Sequence, residues 1–274
     1  DRTTTLTKET DGTIPESCIS AIRKARKRGH LMYINTGRCF QNVEPRFQEI
    51  GFDGIVCGCG TNLYSGGKEL LYVSQTHTLT MEILRAARQA DVDIAFESKY
   101  EVCFDTSRPI RHPEAAELFQ SFRDVHHYPM RTDLTEEDFF CDKFVVWYQD
   151  ESQLAAFRAV SDAYFDCIDR GGTFREFVPK GYSKATGIAR IVAHHGISIE
   201  NTFAIGDSNN DLPMLTAVHT APTPSHSHGQ RLSRFFVCQS FLCNGQSQRG
   251  RHSARTLSFR IFRLKLWRYV YERN

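Results

Sequence analysis

The sequence predicts an α/β protein with a Rossmann-like parallel-sheet core, which is interrupted by an inserted α+β unit. Strand-like apolar runs alternate with helical periodicity on both sides of the insertion, and β-α-β alternation indicates a parallel sheet with helices on its faces. Within the insertion, short runs alternate in polarity as strands of a half-exposed sheet do. We therefore expect a split core at 1–76 and 178–218, an insertion at 77–177, and an atypical basic tail at 219–274.

The first half of the predicted core contains two helices and two strands. Apolar residues recur at helical spacing between Pro15 and Gly29, and these two residue types favour the start and the end of a helix. The run HLMYIN at 30–35 predicts a buried strand, and GIVCGCG at 54–60 predicts the next one. A short helix is expected between them at 44–51.

The insertion and the second half of the core follow from the same periodicities. In the insertion we expect helices at 78–92 and 151–164, and strands within 94–104, 143–149, 165–171 and 173–178. After it we expect a helix at 183–198, a buried strand at 202–207 and a helix that begins in NDLPML at 210–215.

Composition narrows the class of protein. The chain has 274 residues, of which 41% are hydrophobic and 24% charged, as is ordinary for a globular protein. No apolar run approaches the roughly 20 residues that span a bilayer, and no signal peptide is visible. The nine cysteines are odd in number and form no C-x-x-C pair, which favours reduced thiols over a disulfide framework. We therefore expect a cytoplasmic protein without a membrane partner.

The segment 219–274 differs in charge from the rest of the chain. It holds nine Arg and one Lys against one Glu, and no Asp. Arg interleaved with Phe, Trp and Tyr would suit a nucleic-acid-binding tail. The abrupt loss of acidic residues and of strand-turn rhythm is also what a shifted reading frame produces. We favour this second interpretation, so nucleic acid is not an expected partner.

Two predicted strands that lie far apart in the chain both end in small and polar residues. NTGR places Thr36 and Gly37 directly after one strand, and GDSNND at 206–211 follows the other. Ligands bind at the carboxyl ends of strands in an open parallel sheet, so the two motifs are expected to meet in one crevice. The Thr36 hydroxyl and the Gly37 backbone N–H could hold an anion there.

The second motif and a nearby lysine supply complementary groups. Asp207 and Asp211 bring carboxylates suited to Mg²⁺, and Asn210 can donate to a phosphate. Lys184, at the start of its predicted helix, offers a point charge. Each feature alone would also fit a turn, a helix cap or a solvated lysine. Together they indicate Mg²⁺-assisted phosphoryl chemistry.

These residues resemble the motifs of the haloacid dehalogenase-like hydrolases, in the Cof-type branch whose α+β cap is inserted between the second and third motifs. Thr36 in NTGR is similar to the second motif, Lys184 in PKGYSKATGI to the third, and GDSNND at 206–211 to the fourth. The likeness covers about residues 1–217. It implies a phosphatase that hydrolyses a small phosphorylated metabolite through an aspartyl-phosphate. The metabolite would be a sugar phosphate, a nucleotide or a cofactor phosphate. A phosphomutase or a disaccharide-phosphate phosphatase with the same kind of cap is the alternative.

The first motif departs from the family pattern D-x-D-G-T-L, which follows an apolar strand and carries the nucleophile and then the general acid/base. Asp1 fits the second Asp, because it lies 35 residues before Thr36, with Arg2 in place of the usual Gly. Asp11 in DGT is the alternative, although no apolar strand precedes it. With Asp1 so assigned, the first strand and the nucleophile are missing from this chain, and we expect it to be nearly inactive.

The resemblance also implies roles for the remaining residues. Asp1 would act as general acid/base, and Lys184 would orient the nucleophile. The phosphoryl oxygens would be held by Thr36, Gly37, Lys184 and Asn210. The magnesium ion would be held by Asp1 (through its carbonyl), Asp207 and Asp211, the last of which could instead support Lys184. The cap would select the substrate, with candidates Glu97, Lys99, Tyr100, Arg175 and Glu176.

Overall fold

The computed structural model describes most of the chain between Glu16 and Val218. The described residues are 16–43, 47, 49–126, 129–135, 138–204, 206 and 209–218. Asp1, Asp11, Asp207, the basic tail and half of the short helix expected at 44–51 lie outside these residues.

The described residues form an α/β structure. The helices are α1 (Glu16–Lys27), α2 (His77–Ala90), α3 (Pro113–Ser121), α4 (Glu151–Ser161), α5 (Lys184–His194) and α6 (Leu212–Ala217). The strands are β1 (Tyr33–Asn35), β2 (Gly54–Cys57), β3 (Asn62–Ser65), β4 (Lys68–Tyr72), β5 (Asp93–Glu97), β6 (Val102–Phe104), β7 (Met130–Arg131), β8 (Lys143–Trp147), β9 (Phe165–Asp169) and β10 (Phe174–Pro179). No helix in the part of the chain that the structure describes has the length and apolar character needed to cross a membrane.

The first sheet has the strand order β1-β2-β3-β4. β1 and β2 pair in parallel, as the β-α-β pattern predicts, whereas β2, β3 and β4 pair antiparallel. The β3–β4 hairpin, which we did not predict, turns at Gly66 and Gly67, whose φ angles are +56° and +77°. A two-residue turn of this kind needs positive φ at both positions and therefore favours glycine. The described sheet is thus mixed rather than purely parallel.

Helices cover both faces of this first sheet. On one face, Tyr33 and Val56 pack with Ile188 and other residues of α5. On the other face, Ile34 and Ile55 pack in the cluster that contains residues of α1. Because successive side chains of a strand point to opposite faces, the apolar side chains of these short strands serve both packed faces, and the polar Asn35 stands at the end of β1. This explains why each reads as a continuous hydrophobic run.

The second sheet has the order β7-β6-β5-β8-β10-β9 and is antiparallel except for the β6–β7 pair. On one face α2 and α4 pack around Phe144, whose ring stacks on Phe177 at 5.0 Å between centroids. On the other face α3, which we did not predict, packs against Val145 and Trp147. This arrangement matches the expected α+β character. β10 ends at Pro179, slightly past the expected limit at 177, and the domain boundaries themselves stay a prediction.

The strand expected at 202–207 is only partly described. Phe203 forms an isolated β-bridge, while Ile205 and Asp207 lie outside the described residues. The helix expected after it begins at Leu212. A short 3₁₀ turn at Asn209–Asp211 leads into that helix.

Candidate active site

The loops that follow β1 and β2 lie side by side, because the two strands are parallel and end at the same edge of the sheet. The Cys59 N–H donates to the Thr36 carbonyl at 3.1 Å, and the Gly58 N–H donates to the Arg38 carbonyl at 2.9 Å. The Thr36 hydroxyl oxygen accepts from the Arg38 N–H at 3.2 Å. Because this bond uses the hydroxyl as an acceptor, its O–H can still donate to a ligand.

The loop Gly58–Gly60 brings the start of α5 to this edge. Cys59 has a φ of +54°, and Gly60 has a φ of +96°. A Cβ at Gly60 would lie 2.3 Å from the Ser183 carbonyl oxygen, so only glycine permits this approach. Ser183 caps α5 by accepting from the Thr186 N–H. The Asn35 side chain at the end of β1 donates to the Lys184 carbonyl at 3.0 Å.

Lys184 lies at the centre of a buried polar group. Its Nζ is 2.5 Å from Asp211 Oδ1 and 3.0 Å from Asn210 Oδ1. The Lys184 and Asp211 side chains are fully buried, so the ion pair is shielded from solvent. Gly206 makes room for Asp211, because a Cβ at Gly206 would lie 2.5 Å from the Asp211 Cβ. The motifs containing Lys184 and Asp211 therefore meet in space, although 27 positions separate these two residues.

Gly37 joins the second motif to this group. A Cβ placed on Gly37 would lie 3.0 Å from Asn210 Nδ2, 3.1 Å from Glu176 Oε1 and 3.3 Å from Cys59 Sγ. Thr36 and Gly37 thus lie at the same place as Asn210, as the sequence predicts from the convergence of strand ends. Their roles in binding a phosphoryl group are still predictions.

The described residues do not by themselves make a magnesium site. Within the ranges given above, no three His, Cys, Asp or Glu side chains form a group that could hold a metal ion. Asp211 directs Oδ1 to Lys184. This contact corresponds to the second role expected for Asp211, the support of Lys184, rather than to metal binding. The other two expected ligands, Asp1 and Asp207, lie outside the described residues. Metal ligation stays a prediction.

A carboxylate of the second sheet also enters the site. Asn210 Nδ2 donates to Glu176 Oε2 at 3.0 Å. Lys143 Nζ lies 3.0 Å from Glu176 Oε1, and Arg170 Nη1 lies 3.0 Å from Oε2. Lys143 also pairs with Glu97 at 2.7 Å. These four charged residues form the cluster that we call the cap charge cluster: Glu97, Lys143, Arg170 and Glu176.

Lys143 and Arg170 were not among the predicted site residues. The signal for Lys143 was a lysine that opens the apolar strand KFVVW. A lysine is almost never fully buried unless it is paired, and Lys143 is 2% exposed. Its pairing with Glu97 depends on the register of β5 and β8, which periodicity does not reveal.

The remaining expected substrate contacts lie in other surroundings. Lys99 pairs with Glu69 at 2.7 Å and lies over the Tyr100 ring. Arg175 pairs with Asp169 at 3.1 Å. The structure therefore brings two of the five candidate cap residues, Glu97 and Glu176, into the cap charge cluster.

The charges of Glu176 and Lys143 stabilise each other, whereas burial raises the pKa of Glu97 above its ordinary value in spite of its pairing with Lys143. Burial alone would raise the pKa of Glu176, but Lys143 and Arg170 lower that pKa to about 2. Burial would lower the pKa of Lys143, but Glu176 and Glu97 raise it above its ordinary value. Burial raises the pKa of the neighbouring Cys59 thiol. At neutral pH the site therefore contains a charged Glu176 and a neutral thiol.

This arrangement agrees with comparisons to known proteins. A family model described as haloacid dehalogenase-like hydrolase matches residues 4–221. The chain belongs to this family. The similarities extend to the Cof-type branch and confirm the predicted Rossmann-like core with an inserted cap.

Individual relatives of this haloacid dehalogenase-like hydrolase are distant. "Putative phosphatase YkrA" from Bacillus subtilis is 27% identical over 215 residues, covering 77% of this chain and 79% of that protein. The 5-amino-6-(5-phospho-D-ribitylamino)uracil phosphatase YitU, also from Bacillus subtilis, is 22% identical over 221 residues, with 77% and 79% covered. The solved structure of the subclass IIB sugar phosphatase BT4131 has a TM-score of 0.63 and 20% identity, with 78% of this chain and 80% of that chain covered. At this identity the structural likeness shows the fold alone.

Proposed function

We propose that this chain is a Mg²⁺-dependent phosphatase that hydrolyses the phosphate monoester of a small metabolite through an aspartyl-phosphate. The observation that carries the proposal is the convergence of Thr36, Gly37, Lys184 and Asn210 at one edge of the first sheet. A lysine, a hydroxyl, a backbone amide and an amide side chain together match the needs of a phosphoryl group. The relatives named above as phosphatases support the same reaction.

In this proposal, the described residues position the phosphoryl group and balance its charge. Lys184, held by Asp211 and Asn210, offers an ammonium to the phosphoryl oxygens. The Thr36 O–H and the Gly37 N–H donate from the opposite loop. Since these groups are already fixed by buried contacts, little reorganisation is needed as charge develops in the transition state.

Metal binding and proton transfer are proposed for aspartates of the first and fourth motifs. We propose that Asp207, the Asp1 carbonyl and Asp211 would hold Mg²⁺, which would neutralise charge on the phosphoryl group. The Asp1 carboxyl would protonate the leaving oxygen and then take a proton from the attacking water. Asp11 remains the alternative for this role.

The proposed substrate is a small phosphorylated metabolite in the cytoplasm. A sugar or sugar-alcohol phosphate is favoured, because BT4131 is named a sugar phosphatase and the YitU name describes a phosphorylated ribityl chain. Free thiols at Cys18, Cys39, Cys57, Cys59, Cys103, Cys141 and Cys167 are compatible with a reducing compartment. Membranes and nucleic acids are not among the proposed partners.

The test is hydrolysis of p-nitrophenyl phosphate with Mg²⁺ and with a chelator. It uses this chain and a second chain extended by an apolar strand that ends in Asp-Xaa before Asp1. Activity should require Mg²⁺ and should be far greater in the extended chain. Lys184→Met and Asp207→Ala should each lose roughly 10²-fold or more in rate. The exposed Lys180 provides the control, and Lys180→Met should keep full activity.

Two outcomes would contradict parts of this proposal. Undiminished turnover by Lys184→Met would remove the phosphoryl site described here. Robust activity of the shorter chain, lost in Asp11→Asn but kept in Asp1→Asn, would move the first motif to Asp11.

A further inference from the structure

The Glu176 carboxylate is surrounded by hydrogen-bond donors from both sheets. Asn210 Nδ2, Lys143 Nζ and Arg170 Nη1 each lie 3.0 Å from one of its oxygens. The Cys59 thiol donates to Oε1 at 3.4 Å. An oxyanion with several N–H donors is held here in the way in which a protein holds a phosphoryl group.

The cost of this cluster points to a function other than stability. Glu176 is 4% exposed and Lys143 is 2% exposed. Removing such ions from water costs several kcal/mol each, and well-packed apolar residues would often be at least as stable. The same sheet face carries apolar residues such as Val145 and Trp147 elsewhere. The cap charge cluster lies at the end of this sheet face that approaches the first sheet, whereas Asp93 lies at the other end, opposite Trp147.

Glu176 also contacts the residues expected to bind phosphate. Asn210 directs its amide N–H to the Glu176 carboxylate, so the predicted phosphate donor already binds an anion. The space next to Gly37, the other such residue, lies 3.1 Å from Glu176 Oε1. Of the two N–H groups of Asn210 Nδ2, one is directed to Glu176 and the other to the Cys59 sulfur at 3.9 Å. A phosphoryl oxygen that accepts the N–H now directed to Glu176 takes the position of this carboxylate oxygen.

We propose that Lys143 and Arg170 are anion-binding residues of this site, and that the Glu176 carboxylate stands where an oxygen of the phosphorylated substrate binds. The inference rests on the proposed function. Substrate binding displaces Glu176 and gives its donors to the substrate. Lys143 keeps its ion pair with Glu97, and Arg170 exchanges its contact with Glu176 for a contact with the substrate.

The test is the binding of inorganic phosphate to the full chain, measured by calorimetry with Mg²⁺ present and absent. Glu176→Gln removes the competing charge and should bind phosphate about tenfold more tightly than the wild type, because a hydrogen bond to a charged group is being released. Glu176→Asp keeps the charge balance but draws the carboxylate away from Asn210, so it should also bind more tightly. Adding Arg170→Gln to Glu176→Gln should abolish the gain. The exposed Glu114 provides the control, and Glu114→Gln should leave affinity unchanged.

The outcomes separate this inference from the proposed function. If wild-type phosphate binding is lost in Lys184→Met while neither Glu176 variant binds more tightly, the inference is wrong and the phosphoryl site stands. If neither the wild type nor any variant binds phosphate, the proposed function fails and the inference fails with it. Glu176→Asp keeps the test valid even where Glu176→Gln unfolds, since it retains a negative charge beside Lys143 and Arg170.

Discussion

Replacing Lys184 by Met should lower the free energy of unfolding by about 3–5 kcal/mol, the usual cost of breaking a buried ion pair on one side. The ammonium lies 2.5 Å from Asp211 Oδ1 and 3.0 Å from Asn210 Oδ1. Both ends of the ion pair are fully buried. Methionine preserves the length of the side chain but removes the charge, so the Asp211 carboxylate loses this cation while it stays out of water. Domains of ordinary stability unfold with only about 5–15 kcal/mol, so the effect should be large.

The measurement is urea unfolding of four proteins: wild type, Lys184→Met, Asp211→Leu and the double variant. Each single change leaves a buried charge behind, whereas the double change removes both charges. The loss in free energy of unfolding of the double variant should therefore be roughly 1–3 kcal/mol smaller than the sum of the two single losses. Lys180→Met, on the exposed turn before α5, should change the stability by no more than about 0.5 kcal/mol. A Lys184→Met cost below about 1 kcal/mol, or additive single effects, would refute the buried pair as described.

Three further predictions concern other parts of the structure. In urea unfolding, Gly60→Ala should lower the free energy of unfolding far more than Gly66→Ala, because a Cβ at Gly60 would lie 2.3 Å from a carbonyl oxygen. Gly66 faces open space, so Gly66→Ala should cost only about 1 kcal/mol, for its positive φ. Gly37→Ala should weaken phosphate binding in calorimetry, since its Cβ would lie 3.0–3.3 Å from three side chains of the site, and unchanged affinity would place the anion elsewhere. Burial raises the pKa of Asp142 to about 7, so the protonated carboxyl favours the folded state and this contribution is lost as pH rises from about 4 to 7. Asp142→Asn should therefore flatten the pH dependence of unfolding over that interval, and an unaltered slope would contradict the assignment.

The elements nearest the site were the easiest to predict. β1 and β2 are short apolar runs that end in polar residues, and each lies within its expected range. α5 begins at Lys184 and ends at His194, within the expected 183–198. These elements are visible in the sequence because buried parallel strands are apolar on both faces and helices repeat at 3.6 residues.

Two features show where local pattern stops being informative. The β3–β4 hairpin had a local signal, the Gly66–Gly67 pair between two alternating runs, and was therefore predictable. The contact between Glu176 and Asn210 had none, because it joins a strand of the second sheet to the turn before α6, 34 positions away. A buried Lys143 likewise depends on which strand pairs with β8. Such contacts are set by the packing of two sheets rather than by the residues on either side in sequence.

In the proposed site, the two buried lysines come from different parts of the structure, so both sheets would contribute to substrate binding. Lys184 belongs to the first sheet's α5 and Lys143 to the second sheet, and each is neutralised by an acidic side chain of its own layer. The hydrogen bond from Asn210 to Glu176 joins these two neutral groups. An anion that replaces Glu176 breaks that bond and substitutes its own oxygens, so it exchanges one link between the layers for another. At another place the layers are joined by Tyr72 of β4, whose hydroxyl donates to Asp142 at 2.9 Å. Because that second link does not involve the site, the exchange at Glu176 can proceed while the sheets remain attached.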